Sequence, residues 1–488
     1  MMARMENTEY TPTRVPEQVQ PTLTKSLSLL QASAFNMANM VGIGVFLTIP
    51  FILADLPGPQ ALLGWLAGAL LAICDGMIWC ELGAALPGSG GSYLFLRETF
   101  GPRRWGRLLA FLFIWQFILS GPLEIASGSI GFADYFKYFE PHLGNVTHGL
   151  IAAGVALTAL VLCYRRIQAV GKITVVLWVG MIVTAGTVIL AGARHFSAQL
   201  AFHSGQPFHL DRAGMVALGA AMSYVIYDFL GYYVVCYVGE EVKNPQRTIP
   251  MSIILSVVVV AGLYFLIHLA ITGTLTIEEA KASPYVASEL VERVWGAHTA
   301  MVVTALILWT SFASTFALML GYSRIPYAAA GDGCFFQIFR HVHPRGKFPD
   351  LSLLVVGLVT IAVSFVPLAA EITILLTSRI LVQFIAQGIG VFLMHKRFPA
   401  KDRPFRMWLY PIPALLAIAG WIYVFYTSGE TTFVAFGHAM THSNMFWGAI
   451  SLAAGIPIFF VWAWYMRFWP FERSADSVVS RGASAGGS

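Results

Sequence analysis

No charged side chain occurs between Leu27 and Ala54, and mostly uncharged runs of similar length recur as far as Phe468. The hydrocarbon core of a bilayer takes about 20 apolar residues as a helix. Inside it every backbone N–H and C=O must find a partner within the protein, which leaves helices or closed barrels. Twelve such runs, separated by short polar loops, predict an all-α integral membrane protein with twelve transmembrane helices. The first run is longer than the core of a secretory signal and has no small-residue cleavage site, so it counts as a span. With 57% hydrophobic and 11% charged residues, little chain is left for a soluble domain. Residues 1–24 and 471–488 are polar and low in complexity, and are expected to be disordered cytoplasmic tails.

Basic residues set the sidedness of the loops. Arg97, Arg103, Arg104 and Arg107 follow the second run, Arg165 and Arg166 the fourth, and Lys243 and Arg247 the sixth. Arg340, Arg345 and Lys347 follow the eighth, and Lys396, Arg397, Lys401, Arg403 and Arg406 the tenth. The alternate loops are poorer in such residues, so both termini are expected in the cytoplasm. This loop bias accounts for the net charge of +5. No basic patch interleaved with aromatics lies outside the membrane region, so nucleic acid is not an expected partner. Cys74, Cys80, Cys163, Cys236 and Cys334 show neither a CxxC nor a His/Cys metal spacing and read as packing residues. No phosphate-binding loop and no Ser/His/Asp arrangement is present, so neither ATP-driven transport, an enzymatic activity, a cofactor nor a metal is expected.

Two runs have odd interiors. The first carries "VGIGV", Val41 to Val45, at its midpoint, and the sixth carries Asp228 and Gly231 within "YVIYDFLGYYVV". Glycine weakens a helix by roughly 1 kcal/mol relative to alanine, so Gly42 and Gly44 invite local unwinding, although glycines in a membrane helix also permit close packing. The first and sixth runs hold equivalent places in two successive sets of five, the spacing of a five-plus-five inverted repeat. Its halves would be residues 25–200 and 201–398, followed by two further helices over 399–470. A helix interrupted after Val41 ends in carbonyls that attract an ammonium, and the half that restarts near Val45 offers N–H groups to a carboxylate. Together they suit an α-amino acid zwitterion, with the carbonyls of Tyr227 and Asp228 as further acceptors.

An ionisable group inside a span costs about 2.5–3.5 kcal/mol on insertion scales and usually faces a cavity and a partner. Asp228 reads as a counter-ion for a cationic substrate group, as a protonatable site, or as an aspartate that merely fixes an unwound segment. Glu124 either faces the same cavity or pairs near the outer end of its helix. Glu81, near the cytoplasmic end of the second run, is expected to pair with a loop arginine. In "GEEVKNPQRTIP" Glu240 and Glu241 precede a proline turn with Lys243 and Arg247, which suits either a salt-linked hinge at a cytoplasmic gate or a static staple.

These stretches resemble the amino acid/polyamine/organocation superfamily of secondary transporters, and within it the bacterial amino acid permeases and L-amino-acid exchangers. The likeness covers roughly residues 25 to 430 and rests on "VGIGVF", "ELGAALPGSGGSYLFLRETFG", "GEEVKNPQRTIP", "SRIPYAAAGDGCFF" and "RPFRMWLYPIPALL", in that order. It implies a LeuT-like arrangement with broken helices 1 and 6. Gly42, Ile43 and Gly44 would lie against the substrate carboxylate, Tyr227 would be the aromatic that gates the site from outside, and Gly231 would sit beside the unwound segment. Two departures stand out: Ile43 lacks the hydroxyl that many members carry, and Asp228 replaces a small residue. In the sodium site of coupled relatives Ser314 is one candidate hydroxyl and Leu318 is apolar. The lysine that several sodium-independent members use falls at Met181, and Lys172 is read as snorkelling to the cytoplasmic face.

The expected function is alternating-access transport of amino acids across the cytoplasmic membrane, proton-coupled or exchanging. A polyamine or cationic-amine antiporter, an amino-acid-binding sensor and a channel are the rival readings. The expected partners are a small-molecule substrate and the lipid bilayer. No outer-loop cysteine offers a bond to a single-span protein partner, so none is expected to be obligatory.

Overall fold

In the computed structural model residues 23–203, 209–365, 379–435 and 438–471 are described. The tails expected to be disordered lie almost wholly outside them. The chain opens with α1 (Leu29–Met40), set by a capping box in which Ser28 and Gln31 satisfy each other's backbone N–H groups. After a break of three residues α2 (Gly44–Asp55) follows, bent 44° from α1. Next come α3 (Ala61–Ala85), the short α4 (Ser92–Phe100), α5 (Trp105–Phe136), α6 (Asn145–Cys163), α7 (Ile167–Arg194) and α8 (Ala198–His203). The sixth expected span begins as α9 (Arg212–Phe229), N-capped by Asp211 through Gly214 N at 2.7 Å. It stops at Leu230 and Gly231 and continues only as single 3-10 turns, Val234–Tyr237 and Gly239–Glu241. Gly231 has φ +114°, and a side chain there would meet Asn39 Cβ at 2.8 Å, so both backbone angle and space call for glycine.

The second half runs through α10 (Pro245–Thr272), α11 (Ile277–Ala282), α12 (Val286–Trp295), α13 (Ala297–Tyr322), α14 (Arg324–Gly331) and α15 (Asp350–Val363). The first part of the tenth expected span falls on residues 366–378, outside the described ones. Its remainder is a π-helical turn, Ile380–Ala386, leading into α16 (Gln387–Arg397). The last helices are α17 (Ile412–Thr427) and α18 (Asn444–Met466). Among the described residues seven helical stretches are long and apolar enough to cross a membrane, the α1–α2 pair makes an eighth, and α15 and α17 are shorter apolar helices.

Among the described residues the all-α expectation fails in one place. Between α17 and α18 the chain forms an antiparallel hairpin, β1 (Glu430–Ala435) with β2 (His438–Ser443), in the register Glu430 to Ser443. Thr431, Thr432 and Val434 are β-branched, and a polar loop with such residues favours extended chain over helix.

The distribution of side chains is inverted relative to a water-soluble protein. Val176, Leu190, Val302, Leu358 and Val461 are exposed, whereas Asp75, Glu81, Glu124, Asp228, Glu241, Arg324 and Arg379 are buried. An apolar surface of this extent needs lipid or another protein over it. All five cysteines are buried and free, as packing residues should be.

The basic loops gather at one end. Ser89 bridges to Val238, Arg97 pairs with Asp332, and Glu81 accepts from Arg403 at 3.1 Å, from His395 at 2.8 Å and from Met407 N at 3.2 Å. The loop-arginine partner expected for Glu81 is thus Arg403. At the opposite end Glu279 pairs with Arg293, and that guanidinium, helped by the Thr276 capping bonds, holds the Glu279 carboxyl down to about 2.

Candidate substrate site

The two breaks face each other. A single phenol joins them: Tyr264 on α10 directs its hydroxyl at the carbonyl of Met40, 2.5 Å away at the end of α1, and at that of Asp228, 2.9 Å away at the end of α9. Asp228 is buried, and its Oδ2 accepts from Thr48 Oγ1 of α2 at 2.5 Å. Its Oδ1 is buried without a partner among the described residues.

A cavity of about 30 Å³ lies between the breaks. By volume it holds a water molecule or two, so an amino acid enters only if the walls move apart. Gly42, Ile43, Gly44, Glu124, Tyr227, Asp228 and Ser314 all line it, as does Leu318. The sequence reading therefore brought together residues from four helices. Val41 and Val45 are buried just beside this lining, Gly231 backs onto Asn39, and Met181 is buried on α7; none of the four is part of the lining itself. Lys172 is exposed, in line with a snorkelling side chain.

Gly44 is fixed by close approach. A Cβ there would collide with Asp228 Oδ1 and meet Tyr227 Cε1 at 3.3 Å. Overpacking of this kind costs about 1–3 kcal/mol. Gly44→Ala is therefore expected to weaken substrate uptake about tenfold, read as a rise in KM, while Gly186→Ala, with no atom within 4 Å, leaves it unchanged. Equal KM values for the two variants would remove Gly44 from the site.

The backbone groups at the breaks are less bare than expected. The Asn39 carbonyl accepts from Ser314 Oγ at 3.3 Å, Met40 O from Gly42 N at 2.9 Å, and Tyr227 O from Leu230 N at 3.2 Å. The unwound chain has found donors inside the protein, as membrane burial demands. Among the described residues no backbone donor reaches the Val41 or Gly42 carbonyls, and Ile43 gives the first turn of α2 no side-chain cap. Acceptors for an ammonium and N–H donors for a carboxylate therefore remain, a few residues apart.

Glu124 takes the first of its alternatives, the cavity, and its ion pair lies midway along α5 and not near the outer end of that helix. It lines the cavity and accepts from Arg379 and Tyr322, with Arg379 Nε also donating to Ser120 Oγ at 2.9 Å. Its charge is thus matched inside the protein, and Asp228 is the carboxylate of the lining without a cationic partner. Tyr227 donates to Ser127 Oγ at 2.9 Å, reaching across the cavity from α9 to α5.

Toward the basic end the geometry departs from the expected hinge. Glu241 is fully buried and pairs with buried Arg324, Nε to Oε1 at 2.8 Å, rather than with Lys243 or Arg247, both of which are exposed. Its carbonyl accepts from Ser26 N at 2.8 Å and Leu27 N at 2.9 Å, and Glu240 accepts from Ser89 N at 3.3 Å. The acids hold the chain before α1, the loop before α4 and the start of α14 together.

Sequence reasoning missed Asn39, Thr48, Ser127, Tyr264, Arg324 and Arg379. Arg379 carried the signal that had exposed Asp228, an ionisable residue in an apolar run. Thr48 follows Gly44 by one helical turn and so shares its face. Tyr264 stands in the apolar run "VVVVAGLYFLIHLAIT" with nothing nearby to single it out.

Paired broken helices around a small polar cavity in a many-helix apolar body define the class of membrane proteins that bind small molecules at the bilayer midplane. The chain belongs to the amino acid permease family, whose model matches residues 27–465. It is similar to the serine/threonine exchanger SteT of Bacillus subtilis (strain 168), 25% identical over 455 residues, which are 90% of this chain and 97% of that one. The branched-chain amino acid permease BcaP of the same organism is 24% identical over 428 residues, 85% of this chain and 90% of its own. Cationic amino acid transporter 4 of Homo sapiens is 27% identical over 395 residues, 76% of this chain; the match spans 58% of that longer protein.

Proposed function

We propose that the chain is a secondary active transporter that carries amino acids across the cytoplasmic membrane by alternating access, without covalent chemistry. The observation that carries this reading is the pair of facing breaks, with open carbonyls at Val41 and Gly42 opposite the uncapped first turn of α2. The N–H groups of Gly44 and Val45 would take the substrate carboxylate, the open carbonyls its ammonium. Asp228 then serves as the coupling proton site or as the counter-ion of a further amine. Tyr227 closes the site from outside, and the Glu241–Arg324 pair latches it from the cytoplasm. Twelve spans, a five-plus-five inverted repeat, cytoplasmic termini and action without an obligatory protein partner complete the proposal. The names of SteT and BcaP favour a neutral amino acid substrate.

The second reading is a cationic amine antiporter, favoured by the unmatched Asp228 and by the name of cationic amino acid transporter 4. Its other support, Glu124, is weakened by the pairing with Arg379. Uptake of labelled alanine and labelled arginine into proteoliposomes, with and without an inward proton gradient and with sodium replaced by potassium, separates the two. Saturable alanine uptake driven by the proton gradient is the expected result. Entry of arginine alone would move the cationic reading ahead, and entry of neither would overturn both.

A further inference from the structure

A second cavity, of about 350 Å³, opens at the basic-loop end of α6 and α7, walled by Tyr164, Arg165, Arg166, His343, Arg345 and Phe348. The three rings form a compact stack. His343 lies parallel to Phe348 with centroids 5.2 Å apart, and Tyr164 stands edge-on to Phe348 at 5.0 Å. Gly346 N donates to His343 Nδ1 at 2.8 Å and fixes the orientation of that ring. The wall is therefore built by packing from two separate loops.

Its charges are unmatched. Arg97, Arg293, Arg324, Arg379 and Arg403 each have a carboxylate partner. Among the described residues no ion pair joins Arg165, Arg166 or Arg345 to an acid, and all three are exposed. A sidedness signal needs basic loops but does not need guanidinium groups from distant loops to converge on one cavity. The first turn of α7, which begins at Ile167 with no side-chain cap, adds further N–H donors beside them. Planar guanidinium forks and a helix N-terminus both suit the oxygens of a phosphate group.

The surroundings narrow the source of that phosphate. Val161 lies two residues before the end of α6 and is exposed, as are Leu157 one turn further in and Val176 and Val179 on α7. Leu358 extends the apolar surface on α15, which packs against α6. A basic cavity at the ends of helices that carry exposed apolar residues suits a molecule with an anionic head and hydrocarbon tails. We propose that this cleft binds an anionic phospholipid, its phosphate held by Arg165, Arg166 and Arg345 and its acyl chains lying along α6 and α7.

The test is native mass spectrometry of the full chain released from micelles that contain phosphatidylglycerol and phosphatidylcholine. The wild-type chain retains phosphatidylglycerol preferentially. Each of Arg165→Gln, Arg166→Gln and Arg345→Gln lowers that preference about fivefold, and the triple variant abolishes it. Arg340→Gln, at the same end but outside the cleft, leaves it intact. Exposed substitutions of this kind rarely disturb a fold, and substrate uptake by the variants provides the check, because none of the three lines the substrate cavity. An unchanged preference in the triple variant overturns the proposal. So does displacement of the lipid by inorganic phosphate, which would make the cleft a site for soluble anions.

Discussion

Asp228→Asn is expected to abolish proton-driven accumulation of substrate while leaving the fold intact. The substitution keeps the shape of the side chain and an oxygen for Thr48 Oγ1, now 2.5 Å from Oδ2, but removes the charge and the capacity to take up a proton. If Asp228 couples transport to the gradient, the variant still equilibrates or exchanges alanine but no longer concentrates it. If Asp228 is a substrate counter-ion, the loss falls on arginine. A hydrogen bond to a charged group contributes about 1.5–3 kcal/mol, so affinity drops roughly ten- to a hundredfold. Both results come from the same proteoliposome measurement, made with and without the gradient. Full accumulation of alanine and full uptake of arginine by the variant would leave Asp228 only the task of fixing the unwound segment.

The other large effect is expected from Arg324→Ala. Arg324 and Glu241 are both buried, and the guanidinium also donates to Leu320 O at 3.0 Å and Ser323 Oγ at 2.8 Å. Removing one partner of a buried pair leaves the other charge uncompensated, at a cost of about 3–5 kcal/mol. Because Glu241 holds the chain before α1 through its carbonyl, the penalty falls on the arrangement closed at the basic end. The variant should expose Ser26 and Leu27, read as faster labelling of a cysteine introduced at Ser26, and should melt at lower temperature. The double variant Glu241→Gln with Arg324→Gln has no stranded charge and should recover most of the loss. Equal melting of the single and double variants would mean that the pair contributes nothing beyond its shape.

The positions of the breaks were legible because glycine and an ionisable residue are conspicuous against an apolar background, and lipid punishes both unless they have a purpose. The same logic foresaw a loop arginine for Glu81 but could not name Arg403, since pairing depends on which loops meet at one end. It also took Lys243 and Arg247 as partners of Glu240 and Glu241 because they are near in sequence. The fold instead brings Arg324, 83 residues away, into the buried position. The carbonyls at the breaks looked free because their donors, Ser314 and Tyr264, come from helices far along the chain. Local chemistry can be read from a sequence; which distant groups satisfy it depends on packing. The hairpin before α18 was missed for a different reason, since a reading framed around spans treats every polar connection as loop.

The hydroxyl of Tyr264 has one proton and two carbonyls in front of it. It works as a shared clasp on the ends of the two broken helices, and it cannot grip both at full strength. If the half-helices part as the proposed cycle requires, the phenol can follow only one of them, and the carbonyl that it leaves needs another donor. Tyr264 thus adds a second link between the breaks, beside the direct contact of Thr48 with Asp228, through a residue that is not part of the cavity lining.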